Sequence, residues 1–168
     1  MTSEPTPTVI CDAGPLIHLD EIGCLSLLND VPAVLVPDQV WQEVARHRPR
    51  ALVKPSRRFQ SVDVTISSEP TFQTLVQSLS LDIGEQAALS LLHEHRQAML
   101  LTDDAAARLA ATTMGYRVHG TIGMLIRAIR RQQLSKDEVI SHIKCARTHL
   151  MSNVAFRVMW RSCRRGRW

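Results

Sequence analysis

Apolar positions along the chain follow two kinds of spacing, and the two kinds alternate. Short apolar runs such as TVIC, PAVLVP and AMLLT have the length of buried strands. Longer segments repeat apolar residues every three or four positions, which is typical of one face of a helix. Because strands and helices alternate, the pattern predicts an α/β fold in which helices cover both faces of a central parallel sheet, a three-layer α/β/α sandwich.

The predicted elements cover most of the chain. Strands are predicted in TVICDAG, PAVLVP, SVDVTI, AMLLT and YRVHG. Helices are predicted over 15–28, 38–47, 69–79, 82–95, 105–115, 121–133 and 135–151. Three helix starts carry capping residues: Asp38 is a candidate N-cap, and the pairs Asp82/Glu85 and Ser135/Glu138 have capping-box spacing. The segment 48–58, RPRALVKPSRR, is predicted to be an exposed loop.

Composition narrows the class of protein. The chain has 168 residues, enough for one domain with a sizeable core, and 45% of them are hydrophobic, which excludes a disordered chain. No apolar run reaches the length of a membrane span, and the N-terminus lacks a signal-peptide pattern, so we expect a cytoplasmic protein without membrane contact. The four cysteines form no C-x-x-C pair, which favours buried thiols over zinc ligands or disulfides.

The positive charge is concentrated in two places. The net charge is +4, and basic residues cluster between Arg46 and Arg58 and again in the last residues, RSCRRGRW. Clusters of this kind attract polyanions, above all nucleic acids. A solvated face with a loose tail is the alternative interpretation.

Acidic residues follow two of the predicted strands. Asp12 follows the first strand, and Asp103 and Asp104 follow AMLLT. The carboxyl ends of parallel strands meet at one edge of the sheet, where ligands of such folds bind. We therefore expect these carboxylates to converge.

Two helical acids are candidates for the same cluster. Glu43 shares a helix face with Val40, Val44 and His47, and Glu85 lies in the first turn of a strongly apolar helix. Crowded carboxylates repel one another, and a divalent cation such as Mg²⁺ or Mn²⁺ removes that conflict. In the alternative interpretation, the aspartates and Glu85 only cap helices and Glu43 lies on the surface.

Several segments together resemble the PIN domains, and among these the toxin-type nucleases of bacteria and archaea. The resemblance runs from about Val9 to about Lys136. The segments that carry it, in chain order, are ICDAGPLIHL, VPDQVWQEV, LDIGEQAALSLL, LLTDDAAARLAATTMGYRVHGTIGMLIRA and LSKDEV.

This resemblance implies a Mg²⁺- or Mn²⁺-dependent endoribonuclease on a parallel sheet sandwiched by helices. By motif, it implies Asp12, Glu43, Glu85 and Asp104 as catalytic acids; Asp104 is chosen because it stands two residues after Thr102 in a T-x-D motif. Asp12, Asp104 and Glu85 are the implied metal ligands. Asp103 joins them as an auxiliary ligand or a cap. One departure is Gly14, where family members usually carry a small hydroxyl or amide side chain.

The resemblance also implies partners and a division of the chain. RNA is the expected substrate, and toxin-type members usually have an antitoxin protein and often form homodimers. The basic segment supplies the hypothetical RNA contacts Arg46, Arg50, Lys54, Arg57 and Arg58. The predicted division is an N-terminal extension (1–8), a PIN-like nuclease domain (9–150) and an arginine-rich C-terminal segment (151–168).

Two other functions remain open at this point. The chain is alternatively a catalytically degenerate PIN-like module that binds RNA or a protein partner without cleaving, and Gly14 leaves room for that. An acyl-phosphate domain is less favoured, because CDAGPL offers only one acid after the first strand.

Overall fold

A computed structural model of the protein describes residues 8–53 and 59–145. In that part of the chain, five parallel strands form one sheet in the order β3-β2-β1-β4-β5. The strands are β1 (Val9–Cys11), β2 (Val34–Pro37), β3 (Phe59–Val62), β4 (Met99–Leu101) and β5 (Arg117–His119). The predicted parallel sheet is therefore confirmed.

Helices follow the strands along the chain. They are α1 (Ala13–Glu21), α2 (Asp38–His47), α3 (Arg50–Val53), α4 (Pro70–Leu79), α5 (Ile83–Glu94), α6 (Ala105–Thr113), α7 (Thr121–Arg130) and α8 (Lys136–Cys145). A 3-10 helix (Leu25–Asp30) lies between α1 and β2.

The sheet buries a hydrophobic core on each of its faces. Alternate strand residues point to opposite faces, so β1 contributes Val9 and Cys11 to one core and Ile10 to the other. The first core is completed by apolar residues of α1, α2, α7 and α8, and the second by those of α4, α5 and α6. The predicted three-layer sandwich is thereby confirmed.

The order of the strands creates a crevice at one edge of the sheet. From β1 the chain moves to β2 on one side, and it later enters β4 on the other side of β1. Loops leaving the carboxyl ends of β1 and β4 therefore diverge, and such a switch point is where open α/β sheets bind ligands. Asp12 follows β1 and Thr102 follows β4, and the Asp12 amide donates to the Leu101 carbonyl at 2.9 Å.

Three predicted boundaries are wrong. The helix predicted over 15–28 ends at Glu21, because Gly23 adopts a left-handed φ of 68° and the chain continues as the 3-10 helix. The strand predicted over SVDVTI begins earlier, at Phe59. Asp38 is the first residue of α2 rather than its N-cap, which is Pro37.

The segment predicted as an exposed loop contains a helix. Residues Arg50–Val53 form α3, and Ala51 within it is fully buried. The small side chain of Ala51 packs into the first core, which anchors this turn against the domain. The loop prediction is therefore wrong for these four residues. Basic residues on both sides of Ala51 dominate the segment, and a single buried alanine gives no apolar pattern that would predict a helix.

Both predicted capping boxes are present. Asp82 Oδ1 accepts the Glu85 amide and Glu85 Oε2 accepts the Asp82 amide, each at 2.9 Å. Ser135 and Glu138 exchange the same pair of hydrogen bonds at the start of α8. Helix α6 ends just before Gly115, which has a φ of 82°. The two capping boxes satisfy amides at the starts of α5 and α8 that have no partner inside the helix.

Other sequence expectations have mixed outcomes. Cys11 and Cys24 are buried free thiols, as expected. Among the described residues, none of the helices is both long and apolar enough to cross a bilayer. Several expectations lie outside the described residues: the N-terminal extension up to residue 7, the contacts assigned to Lys54, Arg57 and Arg58, and the arginine-rich segment 151–168.

Candidate active site

Asp12 lies at the centre of the crevice and is 8% exposed. One of its carboxylate oxygens accepts the Ala13 amide at 2.8 Å, and the other accepts the Thr102 hydroxyl at 2.9 Å. Burial nevertheless raises the pKa of Asp12 to about 6, and the negative charges of Asp82 and Glu43 act in the same direction. Asp12 therefore caps α1, as the alternative interpretation expected, and it also faces other carboxylates.

Four further carboxylates share this environment. Burial, together with the charges of Asp82, Asp104 and Asp12, raises the pKa of Glu85 to about 7 against the opposing effect of a hydrogen bond from the Asp82 amide. Burial and Asp82 likewise raise the pKa of Glu43 on α2, against the opposing charges of its helix neighbours His47 and Arg46. We name these residues the acid cluster: Asp12, Glu43, Asp82, Glu85 and Asp104.

Gly84 allows α2 and the start of α5 to pack closely within the cluster. A methyl group at Gly84 would lie 3.4 Å from an oxygen of Asp82 and 3.6 Å from an oxygen of Glu43. The same methyl group would lie 3.3 Å from the Val40 side chain, which is tighter than an ordinary contact. Glycine therefore leaves the space in which these carboxylates meet.

Asp104 joins the cluster from the end of β4. It is exposed and caps α6, where its Oδ1 accepts the amides of Ala106 and Ala107 at 2.7 and 2.8 Å. The buried Thr102 hydroxyl accepts the Asp104 amide at 3.1 Å while it donates to Asp12. Thr102 thus couples the acid after β1 to the acid after β4.

Asp103 lies outside this cluster, in contacts of its own. Its carboxylate is 2.7 Å from His18 Nδ1, accepts the Thr121 hydroxyl at 2.5 Å and accepts the Thr121 amide at 2.7 Å. Burial would raise the pKa of Asp103, but the hydrogen bonds from His18 and Thr121 lower it below its ordinary value. We call these contacts the Asp103 clamp; they join α1, the end of β4 and α7.

Two residues of the site are not predicted by the sequence patterns. The spacing predicts Asp82 only as a helix cap, yet its charge acts on Asp12, Glu43 and Glu85. The available signal was its position, since the N-cap of a helix that leads into a parallel strand lies at the carboxyl edge. Thr102 was read only as part of a motif, although its hydroxyl connects two acids.

The donor set fits a hard divalent cation, since all its ligating atoms are carboxylate oxygens. In residues 8–53 and 59–145, however, no three Asp, Glu, His or Cys side chains are placed as ready-made metal ligands. Glu85 and Asp104 each use one oxygen for backbone amides. Within the described residues their other oxygens accept no hydrogen bond.

Two of the predicted RNA contacts, Arg46 and Arg50, are exposed at the far end of α2 and beyond it. An ion pair of 2.9 Å between Arg48 and Asp20 joins the ends of α2 and α1 there. Arg46 lies one turn after Glu43, and its charge lowers the pKa of Glu43. The structure therefore places the charge of Arg46 within reach of the acid cluster, and Arg50 follows after the end of α2.

The comparisons with known proteins agree with this geometry. None of the curated proteins compared with the chain matches it. A family model described as a PIN domain matches residues 8–161, which is most of the 168 residues. PIN domains are generally nucleases and usually use Mg²⁺ or Mn²⁺. The match and the three-layer fold together show that this chain belongs to the PIN-domain family.

Proposed function

We propose that the protein is a divalent-metal-dependent endoribonuclease that hydrolyses RNA phosphodiester bonds at the acid cluster. The observation that carries the proposal is the convergence at one edge of the sheet of Asp12, Glu43 and Glu85, three acids from three separate segments whose pKa values are raised by burial and by neighbouring acids. Carboxylates that are partly buried and repel one another weaken a fold unless a cation compensates them. Perturbed pKa values in a crevice are also typical of functional sites.

In this proposal, Asp12, Asp104 and Glu85 hold the metal, and Glu43 and Asp82 add negative charge around it. When bound, Mg²⁺ or Mn²⁺ supplies a water of lowered pKa and positive charge for the phosphate. Asp103 is left out of the ligand set, because its carboxylate is held by His18 and Thr121 and does not face the acids of the cluster.

The remaining chemistry comes from the protein side chains. Thr102 and the Ala13 amide hold both oxygens of Asp12, so this carboxylate keeps its orientation when substrate arrives. Glu85, with a pKa of about 7, changes protonation near neutral pH. A bound cation favours the ionised form of Glu85, so metal binding would release this proton and leave the carboxylate free to act as a ligand.

Cleavage of a labelled RNA by the full-length chain, with Mg²⁺ and with EDTA, tests the proposal. Asp12→Asn is expected to lower the cleavage rate by at least about 100-fold, because even outer partners of metal ligands cost 10- to 100-fold. Asp137→Asn is the matched control, since Asp137 is exposed at the start of α8 and outside the cluster. Cleavage in EDTA, or an active Asp12→Asn variant, contradicts the proposal, and RNA binding without cleavage favours the non-catalytic module.

We further propose that the nuclease is the toxin of a toxin–antitoxin pair in the cytoplasm and acts as a homodimer. Support for this finer assignment is the resemblance of the motifs around Asp12, Glu85 and Asp104 to toxin-type members. Induced expression of the chain is expected to arrest growth, and co-expression of the neighbouring gene is expected to relieve the arrest. An arrest that persists in the Asp12→Asn variant would contradict the assignment.

A further inference from the structure

The stretch from 105 to 136 carries charge of one sign only. It contains five arginines and one lysine, and it has no Asp or Glu. The arginines are too widely spaced to stand out as a basic run, but this stretch forms α6, β5 and α7. The fold therefore gathers them on neighbouring elements at the β5 end of the sheet.

Three of these arginines and one histidine lie along one line. Arg117 and His119 pair in register with Met99 and Leu101, whose side chains belong to the first core, so they point to the face covered by α7. Gly123, Arg127 and Arg130 follow one face of α7 at the i, i+4 and i+7 positions. We name Arg117, His119, Arg127 and Arg130 the basic edge.

His119 links the strand to the helix in this line. A methyl group at Gly123 would lie only 3.1 Å from His119 Nδ1, so the imidazole packs directly on the helix where a side chain is missing. Burial lowers the pKa of His119, and the charges of Arg108, Arg127 and Arg117 lower it further. The positive fields of three arginines therefore converge on this imidazole.

Little negative charge offsets the basic edge in the part of the chain that is described. Asp30 forms ion pairs of 3.9 Å with Arg127 and Arg131, so among the residues of the basic edge it offsets part of the charge of Arg127. Arg117 donates to the neutral Gln97 carbonyl at 2.8 Å, which fixes its direction without neutralising it. Arg117, His119 and Arg130 are exposed.

The basic edge begins beside the acid cluster. Strand β5 is the neighbour of β4, and the Thr102 amide donates to the His119 carbonyl at 2.9 Å. The first residue of α7, Thr121, is held by Asp103, which precedes Asp104 of the cluster. From there the helix extends over about 15 Å at 1.5 Å per residue.

We propose that the basic edge binds the backbone phosphates of the single-stranded RNA next to the scissile bond, an inference that rests on the proposed nuclease function. An RNA strand held at the acid cluster must continue across one side of the protein's sheet. The β5 side offers guanidinium groups, which bind phosphate in a bidentate manner, in direct continuation of the site. Arg46 and Arg50 lie on the other side of the sheet, at the end of α2 and beyond it, where α2 packs against β2 and β3.

Fluorescence anisotropy titrations with a labelled single-stranded RNA test whether RNA binds along the basic edge. Full-length Arg117→Gln/Arg130→Gln is compared with Arg46→Gln/Arg50→Gln, which removes the same charge from the competing RNA path predicted from the sequence. Binding is measured in EDTA, so the result does not depend on cleavage. Loss of two phosphate contacts is expected to weaken binding about tenfold and to reduce the slope of log K against log salt by about 1.4, at about 0.7 per contact.

The outcomes separate this inference from the proposed function. An effect confined to the basic-edge variant supports the path, even if the protein cleaves nothing. Equal effects of both variants, no effect of either, or absence of RNA binding in EDTA overturns it. If the basic-edge variant loses binding to poly-glutamate but keeps its binding to RNA, the inference is also overturned, because the edge would then bind an acidic protein.

Two further variants guard against a folding artefact. Arg130→Gln alone tests the same charge without touching the hydrogen bond of Arg117 to Gln97. Arg117→Lys/Arg130→Lys keeps the charge and is expected to restore most of the salt slope. A lysine variant that stays as weak as the glutamine variant would contradict an electrostatic contact with phosphate.

Discussion

Asp103 and the acid cluster lie at the same edge of the sheet and differ in the charges that face their carboxylates. Both oxygens of Asp103 accept hydrogen bonds from His18 or Thr121, and the pKa of Asp103 is lowered. In the acid cluster, Asp12 and Glu85 face other acids, and burial raises their pKa values to about 6 and about 7. Asp103 and Asp104 are adjacent in the chain, yet only Asp104 belongs to the cluster.

The difference indicates two uses of the same side chain. A carboxylate whose charge is matched by donors stabilises the native state in its ionised form. Carboxylates that share one crevice without a cation make the ionised native state less stable and create a site for a positively charged ligand. We therefore expect the clamp to stabilise the fold and the acid cluster to carry the proposed function.

Replacing the two adjacent aspartates one at a time is expected to give the largest contrast. Asp103→Asn loses the charged partner of His18, and the free energy of unfolding is expected to fall by about 3 kcal/mol, since a hydrogen bond to a charged group contributes about 1.5–3 kcal/mol. Asp104→Asn is expected to change it by less than about 0.5 kcal/mol, because Asn caps helices as well as Asp does. Urea unfolding measures both.

Activity is expected to follow the opposite order. Asp104→Asn should lose at least about 100-fold in the rate of RNA cleavage, by the same reasoning as for other metal-site partners. Asp103→Asn, assayed at a temperature where it is folded, should retain most of the rate. If Asp103→Asn is folded and inactive while Asp104→Asn is active, the two roles are reversed.

Much of this contrast lies beyond what the sequence can predict. The strand ends place Asp12, Asp103 and Asp104 at one edge, and the family motif favours Asp104 as the acid of the site. Which way each side chain turns depends on His18 and Thr121, which are 85 and 18 residues from Asp103 in the chain. Such distant partners are set by tertiary packing, so local patterns carry no signal for the clamp.

The basic edge was hidden from the sequence for a related reason. Residues such as Arg117 and Arg127 are ten positions apart, and only the register of β5 beside β4 and the start of α7 bring them together. The stretch without Asp or Glu between Asp104 and Asp137 was the available signal. Runs of adjacent charges, as between Arg46 and Arg58, are easier to recognise but are not more informative.

The dependence of stability on pH also distinguishes the acid cluster from Asp103, with an expected effect of intermediate size. Acids with raised pKa values bind protons in the native state, so their stabilising contribution is present at low pH. It is lost as pH rises from the ordinary values of 3.8 and 4.5 towards about 6 for Asp12 and about 7 for Glu85. Asp103, with its lowered pKa, stays ionised in this window.

Mg²⁺ is therefore expected to stabilise the protein more at about pH 8 than at about pH 5, because it binds the ionised cluster. For Asp12 the shift corresponds to at most about 3 kcal/mol, and each kcal/mol changes the Tm of a chain of this size by about 2–4 °C. Thermal melts with Mg²⁺ or EDTA at both pH values measure the effect. In the Asp12→Asn variant the Mg²⁺-dependent rise should vanish; an equal rise at both pH values contradicts the assignment of the cluster.

The smallest expected effect concerns Gly14, where the resemblance to toxin-type nucleases breaks down. A Cβ atom at this position would lie 3.5 Å from Asp103 Cβ and 3.9 Å from His18 Cε1, which are ordinary contacts. Gly14 thus borders the Asp103 clamp, and Gly14→Ser places its new hydroxyl beside that carboxylate. We expect a gain of about 0.5 kcal/mol in unfolding free energy from helix propensity, with the cleavage rate unchanged.

Gly14→Ala is the control, since it adds the Cβ without the hydroxyl. A large change in the Mg²⁺-dependent cleavage rate in Gly14→Ser alone would mean that the clamp and the acid cluster are coupled more tightly than their separate contacts indicate.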